Sequence, residues 1–599
     1  MSNTANEERA ELGVLFVHGI GEQRPGRTVA SFAAALYGWL FRWNCDKEMS
    51  PLSPTLSETV VSPDSGVDAE PARATLSVGL RLRSGPRRAR WLLAESWWAD
   101  VFAPPRFLDL TQWVWKVSTC LLVLQFVIPM RRHWRDVRQD SDRRPLRLLQ
   151  LRHALVAAGY CVLMGVAALL SVLLSIALLV LAVAAKLPIP RIDRAVQWVV
   201  VKLSAVLGDS YVLAHCPVQY AAMRTQVTHD LAWLEERCDK VVIVGHSQGA
   251  AIAHQVIKDG DYRKDRLRAF ITLGQGISKL HLLRRMDWDP QARQVALRTR
   301  MLVTTGLFLA GLPLAGMLLS RWVDAAFEIP ATFPLNVVLI GVGFLAIFLG
   351  VVQAIGVMGE EMERDFLLPG AGTEFSWIDY YASADPVSNG PLMAKSEEGS
   401  ASGPARIYRR TGDQRPCDEI HNSGSILTDH NGYIRNQDQL VSKLLNDLVA
   451  AAYVDSDADV AGSVLVDDRV LTDVKRRRHR LVRWLVAGRT FAAAMGVALW
   501  WFNPAPLFKD PMNQVVQLMA PNAGMGDGLA QLVATVVLMA MFYVVAILLP
   551  WRVLERRSVN QFFHSANGGW QNTPGRPGSR EKDGHTSRES VRISVSAGL

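Results

Sequence analysis

The chain predicts an α/β fold, a doubly wound and mostly parallel sheet interrupted by transmembrane helical hairpins. Residues 241–250 read Val-Val-Ile-Val-Gly-His-Ser-Gln-Gly-Ala, a β-branched apolar run that breaks into Gly-x-Ser-x-Gly and continues as the helix-forming Ala250–Val256. Glu11–Val17 is a second short apolar run, ending in His18-Gly19-Ile20-Gly21. Between and after such strands lie apolar segments that approach or exceed the ~18 residues a membrane helix requires. Strands separated by helical stretches favour parallel pairing with crossover helices.

An amphipathic helix is expected over Thr28–Trp43, and the Ser-, Pro-, Asp- and Glu-rich residues 50–73 read as a surface loop. Thr75–Arg83 alternates like a half-buried strand. Trp97, Trp98, Trp113 and Trp115 then cluster ahead of an apolar run, a pattern of the membrane interface. Residues 112–130 are apolar with one lysine, and 154–186 are too long for one untilted span yet short for two. Ala269–Leu273 reads as a strand, and 301–320 with 335–358 as a hairpin. Phe375–Tyr381 is a further strand, a helix is expected from about Asn436, and 484–502 with 529–550 form a second hairpin. The tail is polar and rich in Gly, Ser and Arg, the composition of a disordered segment.

Bulk composition agrees with membrane attachment. Hydrophobic residues make up 49% of 599, high for a soluble enzyme. The excess of 65 basic over 56 acidic residues, net +9, is read as arginine beside membrane helices rather than nucleic-acid binding, since no nucleic-acid module is present. Six scattered cysteines suggest neither a disulfide framework nor a zinc site. Basic flanks at 284–300, 475–483 and 552–557 against nearly neutral loops at 321–334 and 503–528 orient both hairpins with their flanks in the cytoplasm. The polar, acidic N-terminal residues do not read as a secretory signal, which agrees with a cytoplasmic catalytic domain. The basic stretch 131–152 does not fit a simple two-span reading of 112–130 and 154–186, and that pair stays open.

A serine needs a base oriented by a carboxylate, and backbone donors for a developing oxyanion. With Ser247 as nucleophile, the acid candidate is Asp385 in Ala384-Asp385-Pro386-Val387, a loop past the end of a strand; Asp379, inside that strand, is the alternate. The base candidate is His430 in Asp429-His430-Asn431-Gly432-Tyr433, with His421 as its competitor. His18, beside glycine in a strand-end loop, reads as structural. The oxyanion donors are assigned to Ile20 (or Gly19) and to Gln248.

The Val-His-Gly-Ile-Gly loop, Gly-His-Ser-Gln-Gly-Ala, Ala-Asp-Pro-Val-Ser-Asn-Gly and Asp-His-Asn-Gly-Tyr, in this order, resemble an α/β-hydrolase of the serine lipase/esterase type. The resemblance covers about 11–45, 75–100, 190–280 and 370–450. It implies the triad Ser247, Asp385 and His430, with no metal and no organic cofactor. The chain departs from a soluble lipase in carrying apolar insertions within the catalytic region.

The expected organisation is hydrolase sequence at 1–110, membrane-associated helices at 111–189, and the nucleophile region at 190–297. A transmembrane hairpin follows at 298–360, then acid and base loops at 361–455, a linker at 456–480, a second hairpin at 481–557 and a disordered tail at 558–599. The expected activity is cleavage of a lipid or acyl ester at the cytoplasmic membrane, with membrane lipids as partners and the oligomeric state open. The same triad serves a thioesterase or amidase, and a catalytically silent scaffold is the alternative from another class.

Overall fold

The computed structural model describes residues 9–19, 24–44, 53–61, 70–82, 85–99, 105–106, 109–117, single positions between 159 and 183, 209–319, 333–359, 375–388, 390–392, 417–425, 428–453, 466–502 and 541–569. Among them the strands form one eight-stranded mixed sheet. They are β1 (Ala10–Val17), β2 (Thr55–Leu56), β3 (Ala72–Leu82), β4 (Gly85–Ser96), β5 (Cys238–His246), β6 (Leu267–Leu273), β7 (Ser376–Ala382) and β8 (Cys417–Ile420), in the order β2-β3-β4-β1-β5-β6-β7-β8. From β4 to β8 every neighbouring pair is parallel, while β3 runs antiparallel to both β2 and β4. The mostly parallel α/β architecture expected from the sequence is present.

Helices cover both faces, as a parallel sheet requires. On one side α1 (Arg27–Asn44) packs with Leu444, Leu445 and Leu448 of a late helix against alternate residues of β1, β3 and β5. On the other, α2 (Asp209–His215), α3 (Pro217–Arg237) and α4 (Gln248–Asp259) cover Leu15, Val17, Val241 and Ile243. Strand ends are in register: Val17 of β1 pairs with Gly245 of β5 and Ser96 of β4, and Leu273 of β6 pairs with His246 and Tyr380. The loops leaving β1, β5, β6 and β7 therefore meet at the carboxyl edge, where such sheets present functional groups.

After β6 come α5 (Ile277–Trp288), α6 (Pro290–Leu319) and α7 (Phe333–Gly359). Gly306 lies opposite Gly343 and Val303 opposite Gly350, so α6 and α7 form an antiparallel hairpin between β6 and β7. Beyond β8 follow a 3-10 turn (Tyr433–Arg435), a π-helical turn (Gln437–Val441), α8 (Ser442–Tyr453), α9 (Asp468–Phe502), a second π-helical turn (Tyr543–Leu548) and α10 (Leu549–Gly569).

Several expectations are corrected. The helices of the hairpin expected at 301–320 and 335–358 are present, but among the described residues no helix is long and apolar enough to cross a membrane. The side chains of 351 and 354–359 in α7 fall outside the described residues, as do 503–540, nearly all of 118–208 and the tail from 570. Trp98 and Trp113 are core residues rather than interface anchors: Trp98 stacks on His18 at 4.7 Å and Trp113 is buried against Tyr211 and His215. The linker expected at 456–480 is helical from Asp468 onward. The segment assigned to a disordered tail is helical to Gly569, because Phe562 and Phe563 pack on Trp39 and Trp43 of α1. Strand β4 was not anticipated, since its first half, Gly-Pro-Arg-Arg-Ala-Arg, carries little apolar pattern.

Candidate active site

Ser247 sits between the end of β5 and the start of α4. Its φ of 57° and ψ of −125° make it the one non-glycine residue with positive φ among those described. A backbone held in so sparsely populated a region stores about 1–3 kcal/mol, and persists only where its surroundings over-determine it. They do so here through hydrogen bonds. Ser247 N–H donates to Leu273 O at 3.1 Å, and Gly276 N–H donates to Ser247 O at 2.9 Å. The β1 loop presses on the elbow from the opposite side. A Cβ on Gly249 would collide with the carbonyl oxygens of Val17 and His18, and one on Gly19 would lie 2.5 Å from Ser247 Cβ.

His430 brings its Nε2 to 2.8 Å from Ser247 Oγ, while its Nδ1 lies 3.0 and 3.1 Å from the two carboxylate oxygens of Asp385. These are hydrogen-bonding distances on both sides of one imidazole. Because a carboxylate only accepts, Nδ1 carries the proton and Nε2 is left to accept from the serine hydroxyl. Asp385 is almost fully buried, which by itself raises its pKa. Donors from His430, from the Tyr433 hydroxyl at 2.7 Å and from Val387 N–H at 2.7 Å outweigh that effect and hold it below the ordinary carboxylate value. The pair is therefore an ionised carboxylate beside an oriented imidazole.

The two alternates stand apart from this contact. Asp379 is buried within β7, accepts from Thr272 Oγ1 at 2.7 Å and from Leu392 N–H at 3.1 Å, and is pushed by burial up to about 6. His421 is buried at the end of β8 with its ring 4.8 Å from that of His479, and burial with the nearby charges of His479, Lys475 and Arg478 lowers it to about 3. His18 donates from Nδ1 to Gly19 O at 2.8 Å, and burial takes it down to about 4.

Of the two positions nominated from sequence as oxyanion donors, Gln248 begins α4 directly after Ser247, so its N–H is one of the helix's first-turn donors. Its side chain donates to Ser210 Oγ at the start of α2. Ile20 lies outside the described residues; Gly19, just before it, packs on Ser247. Among the described residues no group of three or more His, Cys, Asp or Glu side chains could hold a metal ion.

Several residues that build the site were not singled out from sequence. His246, just before Ser247, donates Nε2–H to His430 O at 3.0 Å and stacks on the His430 ring at 4.8 Å. Burial, then the neighbouring His430, lowers its pKa to about 4, so it remains a neutral support. Tyr433 links two groups: it donates to Asp385 and accepts from Ala382 N–H at 2.7 Å. Lys279, in the first turn of α5, donates to the Pro386 carbonyl beside Asp385. Burial lowers Lys279 to about 8 against the opposing pull of Asp385. The Gly-Gln-Gly at 274–276 was the readable signal for a close approach at this edge; nothing in the local pattern marks Lys279.

Comparison with known protein families, with curated proteins and with solved structures gave no match.

Proposed function

We propose that this chain is a membrane-associated serine hydrolase of the α/β-hydrolase type, cleaving a carboxylic ester of a lipid or acyl substrate through an acyl-enzyme. The observation that carries the reading is the unbroken line from Ser247 Oγ through the His430 ring to the Asp385 carboxylate, with separations of 2.8 and 3.0 Å. In the proposed mechanism Ser247 Oγ attacks the carbonyl carbon as His430 Nε2 takes its proton. Asp385 stabilises the imidazolium so formed without itself accepting the proton. The Gln248 N–H, at the positive end of α4, receives the oxyanion together with an N–H from the Gly19–Ile20 loop. His430 then returns the proton to the leaving oxygen, and water reverses the sequence to free the acid.

A lipid surface as the place of action is supported by the helices outside the sheet. Leu335, Val338, Phe344 and Phe348 of α7 are exposed, as are Trp484 and Phe491 of α9 and Val553 and Leu554 of α10. Exposed arginines adjoin them, Arg480 and Arg483 on α9 and Arg552, Arg556 and Arg557 on α10. Large apolar side chains bordered by arginine suit insertion beneath anionic headgroups.

The test uses full-length protein in detergent and a fluorophosphonate probe. Wild type labels and Ser247→Ala does not. Wild type that stays unlabelled, or label that persists in Ser247→Ala, rejects the proposed enzyme. Co-flotation with vesicles containing anionic lipid reads the surface: protein left at the bottom of the gradient rejects membrane association.

A further inference from the structure

The loop that delivers His430 is held at two levels. Asp429, the residue before the base, is fully buried, and its carboxylate joins two loops. Oδ1 accepts from Ser423 N–H at 2.7 Å and Ser423 Oγ at 2.8 Å, while Oδ2 accepts from Ala384 N–H at 3.2 Å. Ala384 is the residue before the acid. One carboxylate thus ties the chain next to His430 to the chain next to Asp385, and Asn422 Nδ2 adds a bond to Asp429 O at 2.9 Å.

The far side of that loop rests on α9. Arg489 donates Nη1–H to both Ser423 O at 3.0 Å and Gly424 O at 2.9 Å, and Nε–H to Tyr543 Oη at 3.1 Å. Three turns earlier on the same helix Arg478, almost fully buried, donates Nε–H to Asp438 Oδ1 at 2.7 Å and Nη1–H to Glu555 Oε1 at 3.0 Å. The segment between His421 and Asp438 is therefore gripped at Ser423–Gly424 and again at Asp438, with the catalytic histidine between the two grips. Arg489 thus holds two backbone carbonyls of the base loop.

We propose that Arg489 and Asp429 are positioning residues for the Asp385–His430 pair, and that seating of α9 against Ser423–Gly424 sets the distance at which His430 meets Ser247. The proposal rests on the hydrolase reading. Its physical basis is that displacement of a general base by about 1 Å costs about a hundredfold in rate, whereas the recognition of a small electrophile is little changed. An arginine plane fits two adjacent carbonyls, a geometry that lysine reproduces only in part.

The experiment measures the inactivation of full-length protein by a fluorophosphonate, resolved into the limiting rate kinact and the half-saturating concentration KI. Arg489→Ala and Asp429→Asn lower kinact by about tenfold to a hundredfold with KI within about twofold of wild type. Arg489→Lys recovers part of the loss, and Arg476→Ala, an exposed change on the same helix, matches wild type. Should Arg489→Ala fail to fold, Asp429→Asn and Arg489→Lys carry the test, since both keep side-chain volume. Wild-type kinact in Arg489→Ala, or in both conservative variants, overturns the proposal, as does a loss confined to KI. A wild type that takes no label rejects the hydrolase reading and this proposal with it; a labelled wild type with an equally reactive Arg489→Ala rejects this proposal alone.

Discussion

Tyr433 donates its hydroxyl to Asp385 Oδ2 at 2.7 Å, three residues after the histidine that shares the same carboxylate. Burial, then the charge of Asp385 and the hydrogen bond to it, raise the phenol well above its ordinary pKa, so it stays a neutral donor. A hydrogen bond to a buried ionised group contributes about 1.5–3 kcal/mol. Tyr433→Phe removes it and lets the Asp385 pKa rise. Protonation then reaches the carboxylate at higher pH, so the acid limb of the activity profile moves upward and the rate falls about tenfold or more. Rates of ester hydrolysis across pH check this. An unmoved acid limb contradicts the role given to Tyr433.

The strained backbone of Ser247 makes a prediction about stability rather than rate. Glycine tolerates φ of 57° and ψ of −125° without the side-chain penalty, whereas alanine keeps it. Ser247→Gly is expected to melt above Ser247→Ala by a margin of about 1 kcal/mol, although both are inactive. Equal melting of the two in thermal unfolding rejects strain at the elbow.

Close packing of the β1 loop on the elbow separates three glycines. Gly249→Ala places a methyl group into the Val17 and His18 carbonyls, and Gly19→Ala places one on Ser247 Cβ, so both lose labelling and melt lower by several kcal/mol. Gly38 in α1 has nothing within 4 Å of an added Cβ, and Gly38→Ala gains about 0.5–1 kcal/mol from helix propensity. Melting temperatures of the three variants rank them directly.

Asp379 titrates in the folded protein at about 6 against an ordinary value of 3.8. A carboxyl with a raised pKa binds its proton more tightly when folded. Its contribution is thus fully present below the unfolded value and is lost as pH climbs from about 4 to about 6. Asp379→Asn flattens that decline in denaturant unfolding measured across the window and leaves probe labelling intact. Loss of labelling with the fold intact makes Asp379 part of the chemistry.

His421 lies against His479 rather than Ser247. His421→Asn is expected to label at the wild-type rate and His430→Asn at least a hundredfold more slowly. The opposite ranking transfers the base assignment to His421.

Much of the sheet was legible because strand signals are local. The runs at Glu11–Val17, Ala269–Leu273 and Phe375–Tyr381 fall on β1, β6 and β7 within a residue or two. Where patterns failed, surroundings outvoted composition. Trp98 and Trp113 suggest a membrane interface by density, yet one stacks on His18 and the other fills the space beside α2. Phe562 and Phe563 stand at the start of a polar tail and nonetheless dock on α1, a contact with residues over five hundred positions away.

Within the site the division follows the range of the forces. The Gly-x-Ser-x-Gly turn is a property of ten consecutive residues, because tight-turn sterics involve only near neighbours, and it could be read directly. Asp385 and His430 could be preferred to Asp379 and His421 from their places after a strand and before a helix, but local pattern could not make the choice final, since each pair shares one stretch of chain. That choice was made by long-range packing. It brings Tyr433, His246 and Lys279 around one carboxylate and one imidazole, and buries the competitors among other partners. Local pattern alone carries the elbow serine, the α/β class and the order of the strands along the chain. Which carboxylate and which histidine meet the serine depends on the fold, because burial and hydrogen bonds between residues 45 to 184 positions apart set those distances.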